Sequence, residues 1–498
     1  MIAIDDDAPT LPLFDAAATR RVEHRALARV PPGTLVQRAG LALAKLALAL
    51  RPDARHVWVL AGPGNNGANG LDAAARLRAA GLRVSASVLA DGKPRGTDAH
   101  AAQQRAQQAG VDITEGVAAS APPCDLAIDA LLGIGLARAP EGKMAAAIGT
   151  FNATPALRLA VDLPSGLDAD RGVAPGPAVV ATHTLSMLTL KPGLFTADGR
   201  DHAGAVWLSD LGERDDETPR AWLAAAHHAA AARRHALHKG SFGDVAVIGG
   251  DRGMAGAAWL AGRAALGAGA GRVYVSLLDV DAPSWHAVHP ELMARSALWR
   301  DGLALLREAT VVCGCGGGHA VAEALPPVLS TARRLVLDAD ALNAIARDAT
   351  QRTLLRQRGS REAPTVLTPH PLEAARLLGC SAHDVQADRL GHAQALADEF
   401  GAVVVLKGSG SVTAAPGCLP WVNRTGNAAL ACAGTGDVLA GWLGGGLAVA
   451  AADRIDQVQR VCAQVVARHG HAADLHARRD PAGPLRAGAL LEAMPRAV

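Results

Sequence analysis

A glycine-rich turn with one carboxylate, residues 433–437 (AGTGD), lies directly before a long apolar run that begins at Val438. Glycine allows backbone amides to point toward one position, and the N-terminus of a following helix adds positive potential there. These features attract a phosphate group. Because like charges repel, Asp437 cannot bind that anion, so we expect its carboxylate to act on a hydroxyl group or a metal ion beside the phosphate. The pattern predicts an enzyme that handles phosphoryl groups.

A lysine in the same half of the chain could meet the same phosphates. Lys407 ends the apolar run VVVL and opens KGSGS, where an ammonium group and backbone amides come together. Taken alone, Lys407 is as easily explained as a solvated surface residue. Two more glycine-rich loops, residues 249–256 and 313–318, follow predicted strands and favour a cleft. His370, between the prolines of TPHP, is by itself more typical of a structural residue than of a ligand.

The first half of the chain carries its own glycine-rich loop, residues 62–70 (GPGNNGANG). The loop follows an apolar strand pattern and precedes a helical one, which is the context of a nucleotide-binding turn. The motif is weak by itself, and a tight turn without a ligand remains an alternative. Asp91 follows at about the spacing of a dinucleotide-binding acidic residue, so spacing alone also allows a Rossmann dehydrogenase.

Polar residues at the ends of predicted strands distinguish this half from a plain dehydrogenase. Asp129 opens DALLGIG, and Asp162 and Ser165 lie in VDLPSG. Ligands of open parallel sheets bind outside the carboxyl ends of the strands, so these residues and Asn66 could converge on one crevice. Their oxygen atoms would suit a hard monovalent cation or a sugar. Each aspartate taken singly is as typical of a helix cap or a turn.

Short apolar runs alternate with alanine-rich helical patterns on both sides of a polar stretch, residues 210–219. The pattern predicts two α/β domains, residues 1–215 and 225–498, each with a parallel sheet buried on both faces. Residues 221–236, between them, are predicted to be helical. The predicted strands are residues 57–60, 83–89, 126–130 and 157–161 in the first half, and 245–248, 272–277, 310–312, 335–337, 365–367 and 403–406 in the second.

Composition excludes several classes of function. The chain has 498 residues, half of them hydrophobic, with a net charge of +2 and a pI near 8.2, so neither nucleic acid nor a membrane surface is an expected partner. The seven cysteines lack a metal-binding spacing and are interpreted as small buried residues. The N-terminal Asp5, Asp6 and Asp7 do not fit a secretory signal, and residues 438–452 are too few to span a bilayer. We expect a cytoplasmic protein that forms a homo-oligomer.

Four motifs of the first half, GPGNNG, DALLGIG, VDLPSG and KPGLFTADGRDHAG (residues 191–204), resemble the NAD(P)H-hydrate epimerase family. The resemblance covers nearly the whole first half and implies a Rossmann-like, doubly wound sheet. It also implies inversion at the hydrated ring carbon of damaged NADH or NADPH, with a potassium ion in the site. On the matching positions Asn66, Asp129 and Ser165 would hold potassium, and Asp162 is the candidate for proton transfer. The residues implied to contact the dinucleotide are Asn65, Asn66, Gly67, Ala68, Asn69, Gly133, Ile134, Gly135, Leu136, Ala137, Arg138, Ala139 and Asp162.

One position departs from that family, which usually has Gly-Gly-Asp-Gly where this chain has residues 67–70 (GANG). Asn69 keeps the size and hydrogen-bonding ability of aspartate but has neither its charge nor its capacity as a base. The substitution motivates an alternative, in which the first domain is a nucleotide-binding module without catalysis.

Motifs of the second half occur in order over residues 238–445, including LDADALN, TPHPLEAARLLG, LKGSGS and NRTGNAALACAGTGDVLAG. They resemble the ADP- or ATP-dependent NAD(P)H-hydrate dehydratases, which have a ribokinase-like fold. Leu372 replaces a glycine that is common there. The resemblance implies Asp437 as the catalytic residue, with Mg²⁺ as the charge partner and ADP as the co-substrate. The implied nucleotide-binding residues are Lys407, Gly408, Ser409, Gly410, Ser411 and Gly436, and the implied hydrate-binding residues are Ala257, Gly318, His370 and Asp437.

Together the two resemblances imply a bifunctional repair enzyme whose substrates are NADHX, NADPHX and ADP. The first domain would interconvert the R and S hydrates. The second would dehydrate the S hydrate to NAD(P)H and release AMP and phosphate. The alternative is a ribokinase-like small-molecule kinase fused to a catalytically inactive nucleotide-binding module.

Overall fold

The computed structural model describes residues 1–89, 96–117, 120–136, 138–214, 216–226, 235–283, 286, 288–481 and 483–496. Within them the chain divides into two compact units, Met1–Ala8 with Pro12–Ala221, and Pro9–Leu11 with Trp222–Val498. Asp91, the acidic residue of the dehydrogenase alternative, lies outside the described residues. In the described part of the chain, no helix combines the length and the apolarity needed to cross a membrane.

The strands of both units are β1 (Ile2–Ala3), β2 (Leu11–Leu13), β3 (His56–Ala61), β4 (Arg83–Val88), β5 (Asp112–Glu115), β6 (Leu126–Ala130), β7 (Leu157–Val161), β8 (His183–Met187), β9 (Ala205–Ser209), β10 (Ala221–Leu223), β11 (Asp244–Gly249), β12 (Arg272–Leu277), β13 (Met293–Ala294), β14 (Thr310–Cys313), β15 (Arg334–Leu337), β16 (Thr365–Leu367), β17 (Val403–Leu406), β18 (Val412–Ala415) and β19 (Cys418–Val422).

The helices are α1 (Ala16–Leu27), α2 (Thr34–Leu50), α3 (Asn65–Ala79), α4 (Thr97–Gln108), α5 (Gly142–Asn152), α6 (Gly199–His202), α7 (Ala255–Gly267), α8 (Leu298–Asp301), α9 (Leu303–Leu306), α10 (Val321–Thr331), α11 (Asp340–Arg347), α12 (Ala349–Ser360), α13 (Pro371–Leu378), α14 (Ala382–Ala387), α15 (Arg389–Phe400), α16 (Thr435–Ala450), α17 (Ile455–Arg479) and α18 (Ala487–Ala493). Short 3₁₀ helices form at Pro192–Leu194, Lys239–Phe242, Ala428–Leu430 and Met494–Arg496.

The first unit contains an eight-stranded sheet in the order β1-β9-β8-β7-β6-β3-β4-β5. Neighbouring strands are parallel except for β1, which pairs with β9 in the antiparallel sense. From β3 the chain proceeds outward through β4 and β5, then returns to the other side of β3 at β6. The strand order therefore reverses between β3 and β6, and such a reversal opens a crevice at the carboxyl ends of the two strands. Apolar clusters cover both faces of this sheet, as the doubly wound prediction requires.

The second unit contains a sheet whose strands follow the order β13-β12-β11-β14-β15-β16-β17-β18-β19-β10. The pairings from β13 to β17 are parallel, and β18 is antiparallel to both of its neighbours. The predicted α/β class is confirmed in both units, and each of the ten predicted strands forms within a residue or two of its expected bounds.

The predicted helix at residues 221–236 is wrong where the structure describes it. Ala221–Leu223 is strand β10, which pairs in parallel with β19. The rings of Trp222 and Trp421 pack at a centroid distance of 6.5 Å, while Ala221 and Leu223 are buried. Pairing with an existing strand outweighs the local helix propensity of alanine. Residues 227–234 lie outside the described part of the chain.

Close packing of two helices fixes the start of α16 in the second unit. A Cβ atom on Gly441 would lie 2.0 Å from the carbonyl oxygen of Ala261 in α7, and one on Gly445 would lie 2.5 Å from that of Ala265. Glycine is therefore required at both positions for the two backbones to approach each other. This contact holds α16 against α7, so the position of the AGTGD turn at the start of α16 depends on it.

The glycine contact gives a stability prediction. Gly441→Ala should lower the free energy of unfolding of the second unit by about 3 kcal/mol, because the added methyl group forces the two backbones apart. Chemical denaturation followed by circular dichroism measures the change. Gly256→Ala in α7 is the matched control, since its Cβ would meet no atom within 4 Å. Equal stability of the two variants would contradict the packing argument.

Candidate functional site

A cavity of about 500 Å³ lies at the strand reversal of the first unit. Its walls come from α1, α2, the loop after β3 and the residues that follow β6, β7 and β8. The predicted site residues that line it are Asn65, Asn66, Asn69, Gly133, Ile134, Gly135 and Asp162. The cavity therefore brings together residues such as Asn65 and Asp162, which are about 100 positions apart in the sequence. This is the volume expected of a small-molecule site.

Other predicted residues of this site have different surroundings. Gly67 is buried in α3, where a Cβ would lie 2.0 Å from the carbonyl oxygen of Gly62, and Ala68 is part of the apolar core. Leu136, Arg138 and Ala139 follow the cavity-lining residues but are absent from its walls. Ala137 lies outside the described residues. Gly67 and Ala68 bring α3 close to the sheet, so their contribution is to shape the loop.

Asn66, Asp129 and Ser165, the predicted potassium ligands, form one connected group. Ser165 donates from its hydroxyl group to Asp129 Oδ1 (2.6 Å) and from its amide to Oδ2 (2.8 Å). Asn66 Nδ2 donates to the carbonyl oxygens of Leu132 (2.7 Å) and Val161 (3.0 Å). The Ser165 hydroxyl group lies 3.3 Å from the same Leu132 oxygen. The three side chains thus lie around one small region behind the cavity wall.

The buried charge at the centre of this group has no cationic partner among the described residues. Asp129 is completely buried, and burial raises its pKa to about 6 despite the hydrogen bonds from Ser165. Asn66 donates both of its side-chain hydrogen bonds from its nitrogen, and its oxygen has no partner among the described residues. An uncompensated carboxylate beside amide and hydroxyl oxygens is a donor set that a hard cation would fit.

Asp162 lies at the end of β7 and on the cavity wall. Its φ of 68° is in the left-handed region, which places its side chain over the end of β8. Oδ1 accepts a hydrogen bond from the amide of Met187 (3.0 Å) and forms an ion pair with Lys191. Asn69, by contrast, makes a weak contact, with its Nδ2 3.6 Å from the sulfur of Met187.

Three residues of this site were not identified as site residues from the sequence. Arg20 and Glu23 of α1 line the cavity, where Arg20 donates to the carbonyl oxygen of Ile134 (3.0 Å) and Glu23 accepts from Asn65 (3.4 Å). Lys191 is completely buried against Asp162. The lysine could have been suspected as the first residue of a recognised motif, but nothing in the pattern of α1 marks Arg20 or Glu23.

In the second unit, Asp437 lies in the first turn of α16, as the sequence predicts. Burial, and then the negative charge of Asp338, raises the pKa of Asp437 to about 6. Gly434 caps the helix with a φ of 89°. A Cβ on Gly436 would lie 3.7 Å from Lys407 Nζ, so the ammonium group faces the N-terminus of α16. The turn, the lysine and the carboxylate are therefore brought together.

Asp338, which directly follows β15, organises the other charges. Its Oδ1 lies 2.7 Å from Lys407 Nζ and accepts a hydrogen bond from the Thr368 hydroxyl group (2.6 Å). Burial alone would lower the pKa of Lys407, but Asp338 and then Glu373 raise it above its ordinary value. The lysine is thus held as a cation at the carboxyl ends of the parallel strands.

A thiol completes this group. Cys315, two residues after the end of β14, is completely buried, and its sulfur lies 3.9 Å from Asp338 Oδ2. Its Sγ and carboxylate oxygens of Asp338 and Asp437 lie within 4.8 Å of one another. Burial, reinforced by the two carboxylates, raises the pKa of Cys315 well above its ordinary value. The thiol therefore stays protonated.

A buried arginine, Arg389, hydrogen-bonds the start of the loop that follows β17, residues 407–411. Arg389 Nη2 donates to the carbonyl oxygens of Leu406 (3.2 Å) and Lys407 (3.1 Å), and burial lowers its pKa to about 10. Gly408 has a φ of 132° and Gly410 one of 63°, which glycine adopts without strain. Gly408 and Ser409 are exposed, and Ser411 donates to the Gly408 carbonyl oxygen (3.2 Å).

The predicted hydrate-contacting residues lie at the same sheet edge. His370 Nδ1 accepts hydrogen bonds from the amides of Leu372 and Glu373 and so caps α13. Leu372 is exposed. Gly318 donates to Asp340 (2.9 Å), and a Cβ there would lie 2.2 Å from Asp251 Oδ2.

Ala257 is partly exposed in the first turn of α7, beside Gly316. Sequence reasoning did not identify Asp338, Glu373, Arg389 or His469 as site residues. His469 Nε2 lies 3.0 Å from the carbonyl oxygen of Thr435, and burial lowers its pKa to about 4, so it supports the AGTGD turn as a neutral donor.

Two family models match this chain, one in each half. Residues 245–496 match the family model described as NAD(P)H-hydrate dehydratase, and residues 32–193 match that of the YjeF-related protein N-terminus. A crystal structure of the ADP/ATP-dependent NAD(P)H-hydrate dehydratase from Bacillus subtilis, co-crystallised with ATP and Mg²⁺, is 31% identical, with a TM-score of 0.45 over 53% of this chain and 92% of that one.

Two curated relatives cover most of both chains. The bifunctional NAD(P)H-hydrate repair enzyme Nnr of Escherichia coli is 37% identical over 454 residues, which are 89% of this chain and 85% of that protein. The bifunctional NAD(P)H-hydrate repair enzyme of Leishmania braziliensis is 35% identical over 532 residues, 97% of this chain and 93% of that protein. The chain belongs to the family of bifunctional NAD(P)H-hydrate repair enzymes.

Proposed function

We propose that this chain repairs hydrated NADH and NADPH in two steps. The first domain, for which we propose residues 1–215, interconverts the R and S hydrates. The second domain, for which we propose residues 225–498, dehydrates the S hydrate at the expense of ADP and releases AMP and phosphate. The observation that carries the proposal is the placement of Asp437 beside Lys407 at the N-terminus of α16, because a base and a phosphate-binding cation there suit phosphoryl transfer to a hydroxyl group.

The need for a nucleotide follows from the chemistry of the hydrate. Hydroxide is a poor leaving group, so water is lost slowly from the hydrated ring. Transfer of a phosphoryl group from ADP to the ring hydroxyl converts the leaving group into phosphate. The electrons of the ring nitrogen expel it, and loss of a proton from the neighbouring ring carbon restores the double bond. The second unit has to bind both reactants, remove the hydroxyl proton and stabilise the transferred phosphoryl group.

Asp437 is the base of this proposal. A pKa of about 6 leaves the Asp437 carboxylate ionised at neutral pH. Because this pKa lies close to neutral pH, the carboxylate can also accept a proton during the reaction. The amides of residues 434–436 and the Lys407 ammonium group stabilise the charge of the phosphoryl group, and residues 407–411 hold the adenine nucleotide. Asp338 offers carboxylate oxygens that would help to hold Mg²⁺ together with the phosphates, whose charge the ion would neutralise, while Asp437 remains the base.

The first reaction requires a proton carrier in the cavity of the first unit. The hydrated carbon carries both a hydroxyl group and the ring nitrogen. Removal of the hydroxyl proton by Asp162 allows the carbon–nitrogen bond to break as the nitrogen takes up a proton. Rotation of the resulting aldehyde, and closure with both proton transfers reversed, gives the other epimer. Asp162 lines the cavity together with Asn65 and Asn66, as this role requires.

Potassium fits the first unit because of the buried charge behind the cavity. Asp129, Ser165 and the Asn66 oxygen would hold the ion, which would compensate the Asp129 carboxylate. The same side chains connect to the carbonyl groups of Leu132 and Val161, next to the residues that line the cavity. A monovalent cation would therefore order the cavity wall without taking part in the chemistry.

Removal of Asp437 separates the two activities. Asp437→Ala should lower the rate of ADP-dependent dehydration by about a hundred-fold or more and leave epimerisation unchanged. Dehydration is measured as the recovery of dihydronicotinamide absorbance from the S hydrate, and epimerisation by chromatography of the two hydrates. Asp456→Ala, at an exposed position in the first turn of α17, is the matched control. Loss of both activities in a folded Asp437 variant would contradict the separation, and a stable phosphorylated product would favour the kinase alternative.

Potassium should affect the first reaction alone. Replacement of K⁺ by a bulky organic cation should slow epimerisation, because Asp129 then lacks a counter-ion, and should leave dehydration of pure S hydrate unchanged. The Asp129→Asn variant, which has no buried charge to compensate, should no longer respond to K⁺. An epimerisation rate that is independent of potassium in the unaltered chain would remove the metal assignment.

A further inference from the structure

Lys191 is a completely buried lysine that the proposed chemistry has not yet used. Lysine is rarely buried to this degree, because its charge loses the solvation of water. Three acceptors compensate the three ammonium hydrogens: Asp162 Oδ1, the carbonyl oxygen of Met187 (2.8 Å) and the hydroxyl oxygen of Ser186 (3.3 Å). The ammonium group therefore has a fixed position between the ends of β7 and β8.

The same peptide segment fixes Asp162. The amide of Met187 donates to Asp162 Oδ1, while its carbonyl oxygen accepts from Lys191. The amide of Leu163 donates to the carbonyl oxygen of Val161 (2.8 Å), which closes a tight turn with Asp162 at its centre and φ at 68°. Such conformations cost energy in residues other than glycine and concentrate at functional sites. The backbone and both side chains thus hold Asp162 in one orientation.

The two oxygens of this carboxylate have different surroundings. Both the Met187 amide and the Lys191 ammonium group bind Oδ1. Oδ2 has no hydrogen-bond partner among the described residues, although Asp162 lines the cavity. One oxygen is therefore held by the protein, and the other is left for a molecule in the cavity.

We propose that Lys191 is a positioning residue for epimerisation, which holds the Asp162 carboxyl group by its Oδ1 atom and leaves Oδ2 available to exchange a proton with the hydrate. This inference rests on the proposed epimerase function of the first unit. Because its side chain is completely buried, Lys191 does not contact the substrate and acts through Asp162. A purely structural role is less well supported, because a buried ion pair is often no more stable than a well-packed apolar pair.

A double-mutant cycle tests the proposal. Lys191→Met should lower kcat for epimerisation by about a hundred-fold, with KM changed by less than about threefold, and Asp162→Asn should cause a comparable loss. Adding Lys191→Met to Asp162→Asn should cause no further loss of kcat, because the lysine acts only through the carboxylate. Lys143→Met, the same substitution at an exposed position in α5, is the matched control and should stay within about threefold of the unaltered chain.

Each outcome decides a separate point. If the unaltered chain does not interconvert the hydrates, the proposed function fails. If it does and Lys191→Met is equally active, or if Lys191→Met lowers kcat as much in the Asp162→Asn background, the positioning role fails. Should Lys191→Met not fold alone, the double variant, in which the pair is neutral, keeps the comparison with Asp162→Asn. Circular dichroism and thermal unfolding of each variant measure whether the first unit is folded, and dehydration of the S hydrate checks the second unit in the same samples.

Discussion

Each unit pairs a lysine with an aspartate at the carboxyl ends of parallel strands, and the proposed chemistry depends on these two ion pairs. Asp162 with Lys191 in the first unit and Asp338 with Lys407 in the second both follow the ends of strands. A charge removed from water must be compensated, so each pair fixes the position of both of its members. In the first unit the carboxylate faces the cavity. In the second unit the ammonium group faces the N-terminus of α16.

The surrounding folds make this compensation possible. Parallel strands that are covered on both faces end at a common edge, where the loops that follow them carry polar residues next to an apolar interior. The first sheet brings the loops after β3, β6, β7 and β8 to one cavity. In the second sheet, the ends of β14, β15 and β17 bring Cys315, Asp338 and Lys407 together. Close contact at glycines such as Gly441 then sets the helix N-terminus against that edge.

The sequence predicted the strands and glycine-rich turns well, because both depend on local patterns. Runs such as residues 403–406 are apolar throughout, and the AGTGD turn begins a helix as its glycines indicate. The partners of the charged residues could not be predicted, because pairs such as Lys407 with Asp338 join residues 69 positions apart. Strand β10 was missed for the same reason, since its pairing with β19 is not local. The surroundings of Gly67 and Ala68 also depend on how α3 packs.

The buried thiol of Cys315 has a consequence for the selectivity of the second unit. The nucleophilic form of cysteine is the thiolate, and the high pKa of this side chain keeps it protonated among its carboxylate neighbours. A protonated thiol is a weak nucleophile, so in the proposed phosphoryl transfer the alcohol of the substrate, rather than Cys315, would accept the phosphoryl group.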